Sequence, residues 1–242
     1  MKDLPINNVR NFAVAGHTGC GKTSLVDLML FKAGRVNRLG RVNDKTSVSD
    51  WHDEEKDKGH SFYLSALNCD WQDHHFFILD TPGSPDFSGD TTAALSVCDL
   101  ALLVVDAISG LDYGFGRAWR LARSRHCPRA VFINGLDKER ADFNTVLQAL
   151  QEAYGATVCI PVTLPIGSEG DLSGVLNVLT AKEIPANLKE QVEHYRSALM
   201  DTVAESDEAL MTRYLEGEEL SEADISRGLH EAILAGHLVP VF

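Results

Sequence analysis

An α/β fold, a mixed sheet flanked by helices, is what the sequence predicts, and three observations predict it. Strand-length apolar runs alternate with helix-length amphipathic ones along the 242 residues, the pattern of helices packed on a sheet. The run Gly16-His17-Thr18-Gly19-Cys20-Gly21-Lys22-Thr23 has the form G-x-x-x-x-G-K-[ST] and joins the first such strand to the first such helix. Two further polar anchors, Asp80-Thr81-Pro82-Gly83 and Asn134-Gly135-Leu136-Asp137, each close an apolar strand-like run.

Taken in order, Phe12 to Ala15 reads as a strand and Ser24 to Phe31 as a helix. A strand ending in a glycine-rich turn lets successive backbone N–H groups curl around a phosphate, while the helix that follows aims its partially positive N-terminus at the same charge. The stretch from Gly16 to Ser24 is therefore predicted to hold nucleotide phosphates. Gly16 and Gly21 permit a close backbone approach, Lys22 offers an ammonium to the β and γ phosphates, and Thr23 places a hydroxyl on Mg²⁺.

Phe62 to Trp71 and His75 to Leu79 read as the next two strands. In the P-loop GTPase plan an aspartate at this strand end, here Asp80, holds a water in the Mg²⁺ shell, and the amide of the glycine, here Gly83, meets the γ-phosphate. Leu100 to Asp106 is a buried-strand run, and Asp112 to His126 has helical spacing, although Gly114 and Gly116 weaken its first turn. Arg129 to Ile133 is another strand, closed by Asn134 and Asp137 in an N-x-x-D pattern. A carboxylate there accepts from the N1–H and 2-amino group of guanine and meets only a lone pair on adenine, so Asp137 selects guanine. A helix over Ala141 to Tyr154 follows, then strands over Thr157–Leu164 and Leu172–Leu179, helices over Ala186–Glu205, Asp207–Leu215 and Glu222–Ala235, and a last strand over Leu238–Phe242.

Composition narrows the function classes. Net charge is −13, and Thr180 to Phe242 carries 13 acidic against 5 basic residues, a balance that does not draw nucleic acid and so predicts no direct nucleic-acid binding. The five cysteines have no C-x-x-C spacing, which argues against a zinc site or a disulfide framework. No signal peptide or membrane-length apolar run is visible, so a cytoplasmic location with no membrane contact is expected.

The segments Ala15–Ser24, Asp80–Asp90 and Asn134–Phe143, with Tyr214-Leu215-Glu216-Gly217-Glu218-Glu219, make the chain resemble the N-terminal G domain of elongation factor G, and more its divergent paralogues than the main translocase. The resemblance implies a Ras-like P-loop fold, with residues 1–155 and 237–242 as the G domain and 156–236 as the subdomain this family inserts. It implies GTP and GDP as ligands, Mg²⁺ as cofactor, and the ribosome as partner through its sarcin-ricin region. It also implies contact with the stalk protein through the acidic helices, where Glu216, Glu218, Glu219, Glu222 and Asp224 are either a docking face or an ordinary solvated one, the reading charge alone favours.

Several positions depart from the family pattern. Arg35 to His60 corresponds to the first switch, a mobile loop in which Asp50 to Lys58 is otherwise a solvated charged stretch. Its end has His60 and Ser61 where isoleucine and threonine are usual, and Ser61 keeps the hydroxyl that caps Mg²⁺, whereas His60 reads as an exposed loop histidine. Ser84 stands where a histidine follows D-T-P-G, Gly19 where the translocase has aspartate, and Gly135 where lysine is usual. Lys22, Gly83 and Ser84 are the expected catalytic set, and slow hydrolysis follows because phosphoryl transfer depends on positioning and electrostatics. The family's last guanine-contacting loop would follow Phe242, so a fragment is expected. Three functions stay open: a GTP-hydrolysing switch, a binding module with decayed catalysis, and an ATP-using P-loop enzyme, the last opposed by Asn134 and Asp137.

Overall fold

A computed structural model describes residues 5–242. The chain forms two compact units, one running to Asp106 and including Leu111–Cys127, the other made of Ala107–Gly110 and Pro128–Phe242.

The first unit is built on four strands, β1 (Val9–Gly16), β2 (Ser65–Trp71), β3 (His74–Asp80) and β4 (Leu100–Asp106), in the order β2-β3-β1-β4. β1 runs parallel to β3 and β4, while β2 and β3 form an antiparallel hairpin, so the sheet is mixed. The hairpin turns on Gln72 and Asp73, both with positive φ, as a two-residue connection between twisted strands requires. The last four residues of β1 are buried, as expected of a parallel strand covered on both faces. Helices α1 (Lys22–Lys32), α2 (Asp53–Lys58), α3 (Ser88–Leu95) and α4 (Tyr113–Ser124) complete the unit, with Val26, Leu30, Leu95, Phe115 and Trp119 in its core. Cys98 and Cys127 bring their sulfurs to 3.5 Å without a disulfide between them.

Strand β2 starts later than the apolar run, which begins at Phe62. The amides of Phe62 and Tyr63 are taken by the Glu55 carboxylate, at 2.8 and 3.1 Å, and that of Leu64 by Asp90 at 2.9 Å, so they cannot join a ladder. Helix α4 begins one residue inside the expected range because Asp112 caps it, accepting from the Phe115 N–H at 2.8 Å.

The second unit has parallel strands β5 (Arg129–Asn134), β9 (Val239–Val241) and β6 (Cys159–Pro161), ordered β5-β9-β6, and helix α5 (Phe143–Tyr154), capped by Asp142. A separate antiparallel hairpin pairs β7 (Thr163–Ile166) with β8 (Gly174–Asn177). The single strand expected over Thr157–Leu164 is thus two. Val162 marks the break: its N–H goes to the Val241 carbonyl and its own carbonyl accepts from Val178. Helices α6 (Lys189–Glu205), α7 (Glu208–Leu215) and α8 (Glu222–Ala235) bury Val203, Leu210 and Leu220 between them. Gly228 is what lets α8 approach α6, since a Cβ there would lie 2.8 Å from Val203 Cγ1. A capping box opens α8, Ser221 accepting from the Asp224 N–H and Asp224 from the Ser221 N–H. Among the described residues no helix is long and apolar enough to cross a membrane.

Candidate nucleotide-binding site

The turn between β1 and α1 is made by Gly16 to Gly21. Gly21 is the N-cap of α1 at φ 91°, a left-handed conformation that favours glycine, and it supplies no side-chain acceptor to the first amides of the helix. Those donors remain available to an anion, the role the sequence assigns them. Lys22 is buried, and its ammonium donates to the His17 carbonyl at 2.8 Å, so the side chain folds back over the loop it follows. Thr18, Gly19 and Cys20 complete the turn, Cys20 buried with its thiol pushed up by burial, and Ser24 lies exposed on the first turn of α1.

Gly83 lies directly on this loop. A Cβ at Gly83 would come to 2.5 Å from the Thr18 nitrogen and 2.6 Å from Lys22 Nζ, so only glycine brings the D-x-x-G main chain this close. Gly114 has a comparable reason: a Cβ there would sit 2.6 Å from His17 Nδ1. The glycine that weakens the first turn of α4 is therefore what lets that turn pack against the loop.

Next to Lys22 lies a buried group of carboxylates and hydroxyls. Ser61 Oγ donates to Asp50 Oδ1 at 2.6 Å and stands 3.0 Å from Thr23 Oγ1. The Ser61 proton goes to Asp50, and the Thr23 hydroxyl lies by both Ser61 and Asp80, whose carboxyl it also pulls down. Ser49 Oγ donates to Asp80 Oδ2 at 2.6 Å. Among the described residues, Asp80 Oδ1 and Asp50 Oδ2 are buried and accept no hydrogen bond. Burial pushes Asp80 up to about 6, against the downward pull of the Ser49 hydroxyl and the Lys22 ammonium. Burial also raises Asp50, and it raises Asp27 on α1. Buried carboxylate oxygens without donors are costly, and a hard cation that prefers oxygen relieves that cost.

Of these groups the sequence singled out Thr23, Ser61 and Asp80 and missed Ser49, Asp50 and Asp27. The stretch Asp50 to Lys58 is not simply solvated: Asp50 is 3% and Glu55 1% exposed, while Asp53, Glu54, Asp57 and Lys58 face water. Glu55 is buried because its carboxylate takes the amides of Phe62 and Tyr63 and also, at 3.3 Å, that of His52. His60 is half-buried rather than exposed, its ring 4.7 Å from that of Phe62. Ser84 is partly buried and accepts from the Asp86 N–H at 3.4 Å, capping the short turn Pro85–Phe87.

In the second unit Asn134 ends β5 and its carbonyl accepts from the Ala107 N–H at 2.8 Å. Gly135 has φ 79°, and a Cβ there would lie 2.9 Å from Lys138 Cε, so the Lys138 stem occupies the space a larger residue would fill. Asp137 is exposed.

A strand, a glycine loop and a helix carrying a buried lysine and threonine, with a D-x-x-G turn on the loop, define a P-loop nucleotide-binding protein of α/β class. The model of the elongation factor Tu GTP binding domain matches residues 7–233, and the chain belongs to that family of GTPases. The chain is thus a GTP-binding domain of the translational type, binding GTP and GDP, and neither the ATP-using nor the decayed alternative is favoured. It is also similar to the crystal structure of ttk003000868 from Thermus thermophilus, with 32% identity and a TM-score of 0.89 over 96% of this chain. The chain spans 36% of the length of that protein.

Proposed function

We propose that the chain is the nucleotide switch of an elongation-factor-G-like protein, which binds GTP and GDP, hydrolyses GTP slowly and acts with the ribosome in the cytoplasm. The single observation that carries this reading is the buried lysine of the glycine loop beside the Thr23–Ser61–Asp50 and Ser49–Asp80 hydrogen bonds. The amides from His17 to Thr23, with Gly16 giving the turn its approach, cradle the phosphates, and Lys22 neutralises them. Asn134 and Asp137 read guanine, with Gly135 in place of the usual lysine. The hairpin β7–β8 and helices α6 to α8 belong to the inserted part.

Mg²⁺ fits the residues present. Among the described residues no three His, Cys, Asp or Glu side chains converge as a metal site, but Mg²⁺ on a nucleotide asks only for one or two carboxylates, with phosphate oxygens and water for the rest. Thr23 and Ser61 would hold it directly, and Asp80 through a water in its shell. When bound it supplies positive charge against the charge that develops on the phosphoryl oxygens. The chain's own contribution is to hold that charge in place, to set the Gly83 amide at the γ-phosphate, and to keep Lys22 desolvated. Ser84 orients the attacking water only weakly, since its hydroxyl is short and already accepts from Asp86.

Titration of GDP, GTP and ATP against the chain, with and without Mg²⁺, tests the function. Displacement of labelled GTP by ATP as effective as by GTP would overturn it. In a full-length version, Ser84→His should raise phosphate release in the presence of ribosomes by about a hundredfold, at the low end of what a positioned imidazole contributes. Release unchanged from the parent would remove Ser84 from the catalytic set.

We also propose that Glu216, Glu218, Glu219 and Glu222, all exposed, form a face for the ribosomal stalk protein. Asp224 and Glu218 contribute less, because Arg213 pairs with both and Arg227 with Asp224. Reversing the charge of Glu218 and Glu219 should weaken stalk binding by about tenfold at low salt. Binding that stays at the parent level leaves this face a solvated one.

A further inference from the structure

Residues 47 to 50 are fastened to two elements at once. The Val48 N–H donates to the Asp27 carboxylate on α1 at 3.0 Å, and the neighbouring Ser47 hydroxyl pulls that carboxyl down against its burial. The amides of Ser49 and Asp50 both donate back to Ser47 Oγ at 3.2 Å. Two residues on, Ser49 donates its hydroxyl to Asp80 at the end of β3 and accepts the Ser65 hydroxyl at its own carbonyl, at 2.7 Å. Ser47, Ser49, Asp27 and Asp80 are all buried, whereas Val48 between the serines stands out in water.

A hydroxyl on a carboxylate is a charge-assisted bond, about twice as strong as a neutral one and stronger still where water is excluded. Both carboxylates keep one buried oxygen with no partner among the described residues, Asp27 Oδ2 and Asp80 Oδ1. Asp27 therefore has no visible task beyond holding this segment. At Asp80, the Ser49 hydroxyl holds one oxygen at 2.6 Å and so fixes the orientation of the carboxylate beside the buried Thr23.

We propose that Ser47 and Ser49 form a latch that ties residues 47–50 to α1 and to the end of β3, with Ser49 acting as a positioning residue that presets Asp80 for a divalent cation. The segment that carries Asp50 is in this way tied, through Ser49, to the carboxylate that receives the ion. This rests on the reading of Thr23, Ser61 and Asp80 as the Mg²⁺ residues.

Limited trypsin digestion of the chain with a non-hydrolysable GTP analogue, over a series of MgCl₂ concentrations, reads the latch directly. Arg41 and Lys45 lie on the exposed approach to it. Mg²⁺ should protect both sites in the parent, and Ser49→Ala should need about tenfold more MgCl₂ for half protection, the loss of one charge-assisted bond. Ser49→Thr, which keeps the hydroxyl, should restore the parent midpoint, and Val48→Ala should leave it unchanged. If Ser49→Ala does not fold, Ser47→Ala carries the same expectation from the other end of the latch. A parent-like midpoint in the folded alanine variant, or an equal shift in Val48→Ala, overturns the proposal. A parent without any Mg²⁺-dependent protection overturns the cation reading and the latch with it.

Discussion

Lys22→Ala will weaken both GDP and GTP binding by at least about a hundredfold, because two charge-assisted hydrogen bonds to phosphate at roughly 1.5–3 kcal/mol each disappear together. At about 1.4 kcal/mol per factor of ten the lower bound alone gives that loss. The structure makes the effect larger than for a surface lysine. The ammonium is already desolvated and held by the His17 carbonyl at 2.8 Å, so little is spent in bringing it to the phosphates. Lys22→Arg will not rescue binding, since the Gly83 main chain passes so near Nζ that even an added Cβ would lie 2.6 Å from it, and a guanidinium is wider than an ammonium. The fold itself should survive, because the Lys22 ammonium is held by a carbonyl rather than by a carboxylate that its loss would strand, and its backbone stays in α1. The check is equilibrium titration with a labelled guanine nucleotide alongside a thermal melt. Affinity within about threefold of the parent in a folded variant would mean that the phosphates lie elsewhere, since about 3 kcal/mol cannot hide in so small a change.

The parts of this site that could be read from the sequence are those set by local chemistry. The glycine loop is legible because Gly16 and Gly21 must take positive φ there, and β4 matches its apolar run residue for residue. What stayed hidden depends on contacts between distant residues. Asp50 and Glu55 look like members of a charged surface run, and nothing in their neighbours reveals that Ser61, Phe62 and Tyr63 will take up their oxygens. Ser49 carries no motif at all, and its place becomes visible only when Asp80 is found 2.6 Å away. Helix α3 escaped for a related reason. Its sequence, Ser88 to Leu95, is rich in residues of low helix propensity, and it is held by Asp90 accepting from Leu64 and Thr91 donating to Pro82. Val162 shows the converse limit: a continuous apolar run gave no sign that its two ends join different sheets.

In the absence of divalent cations the contribution of Asp80 to stability should fall as pH rises from about 4 to about 6, opposite in sign to the contribution of a carboxyl held low in the folded state. Asp80 has an unfolded value of 3.8 and is pushed up to about 6 in the folded chain, first by burial. Below the lower value both states hold the proton and the group contributes nothing. Between the two values the folded state keeps the proton and the unfolded state releases it, so the slope of unfolding free energy with pH is negative; above the higher value the penalty is complete and constant. A gap of this size corresponds to a penalty on the order of 3 kcal/mol, at about 1.4 kcal/mol per pH unit. Asp27 and Asp50 are raised by burial in the same direction and add to the slope. Asp80→Asn removes the titrating group while its amide oxygen can still accept the Ser49 hydroxyl. In EDTA at neutral pH that variant should therefore melt above the parent, and its stability should fall less across the same interval. It should also lose the response to Mg²⁺, which needs the ionised carboxylate that asparagine lacks. Melts of parent and variant in chelator between about pH 4 and 8 separate the outcomes. Parallel curves would show that Asp80 is not the buried, uncompensated charge on which the cation site depends.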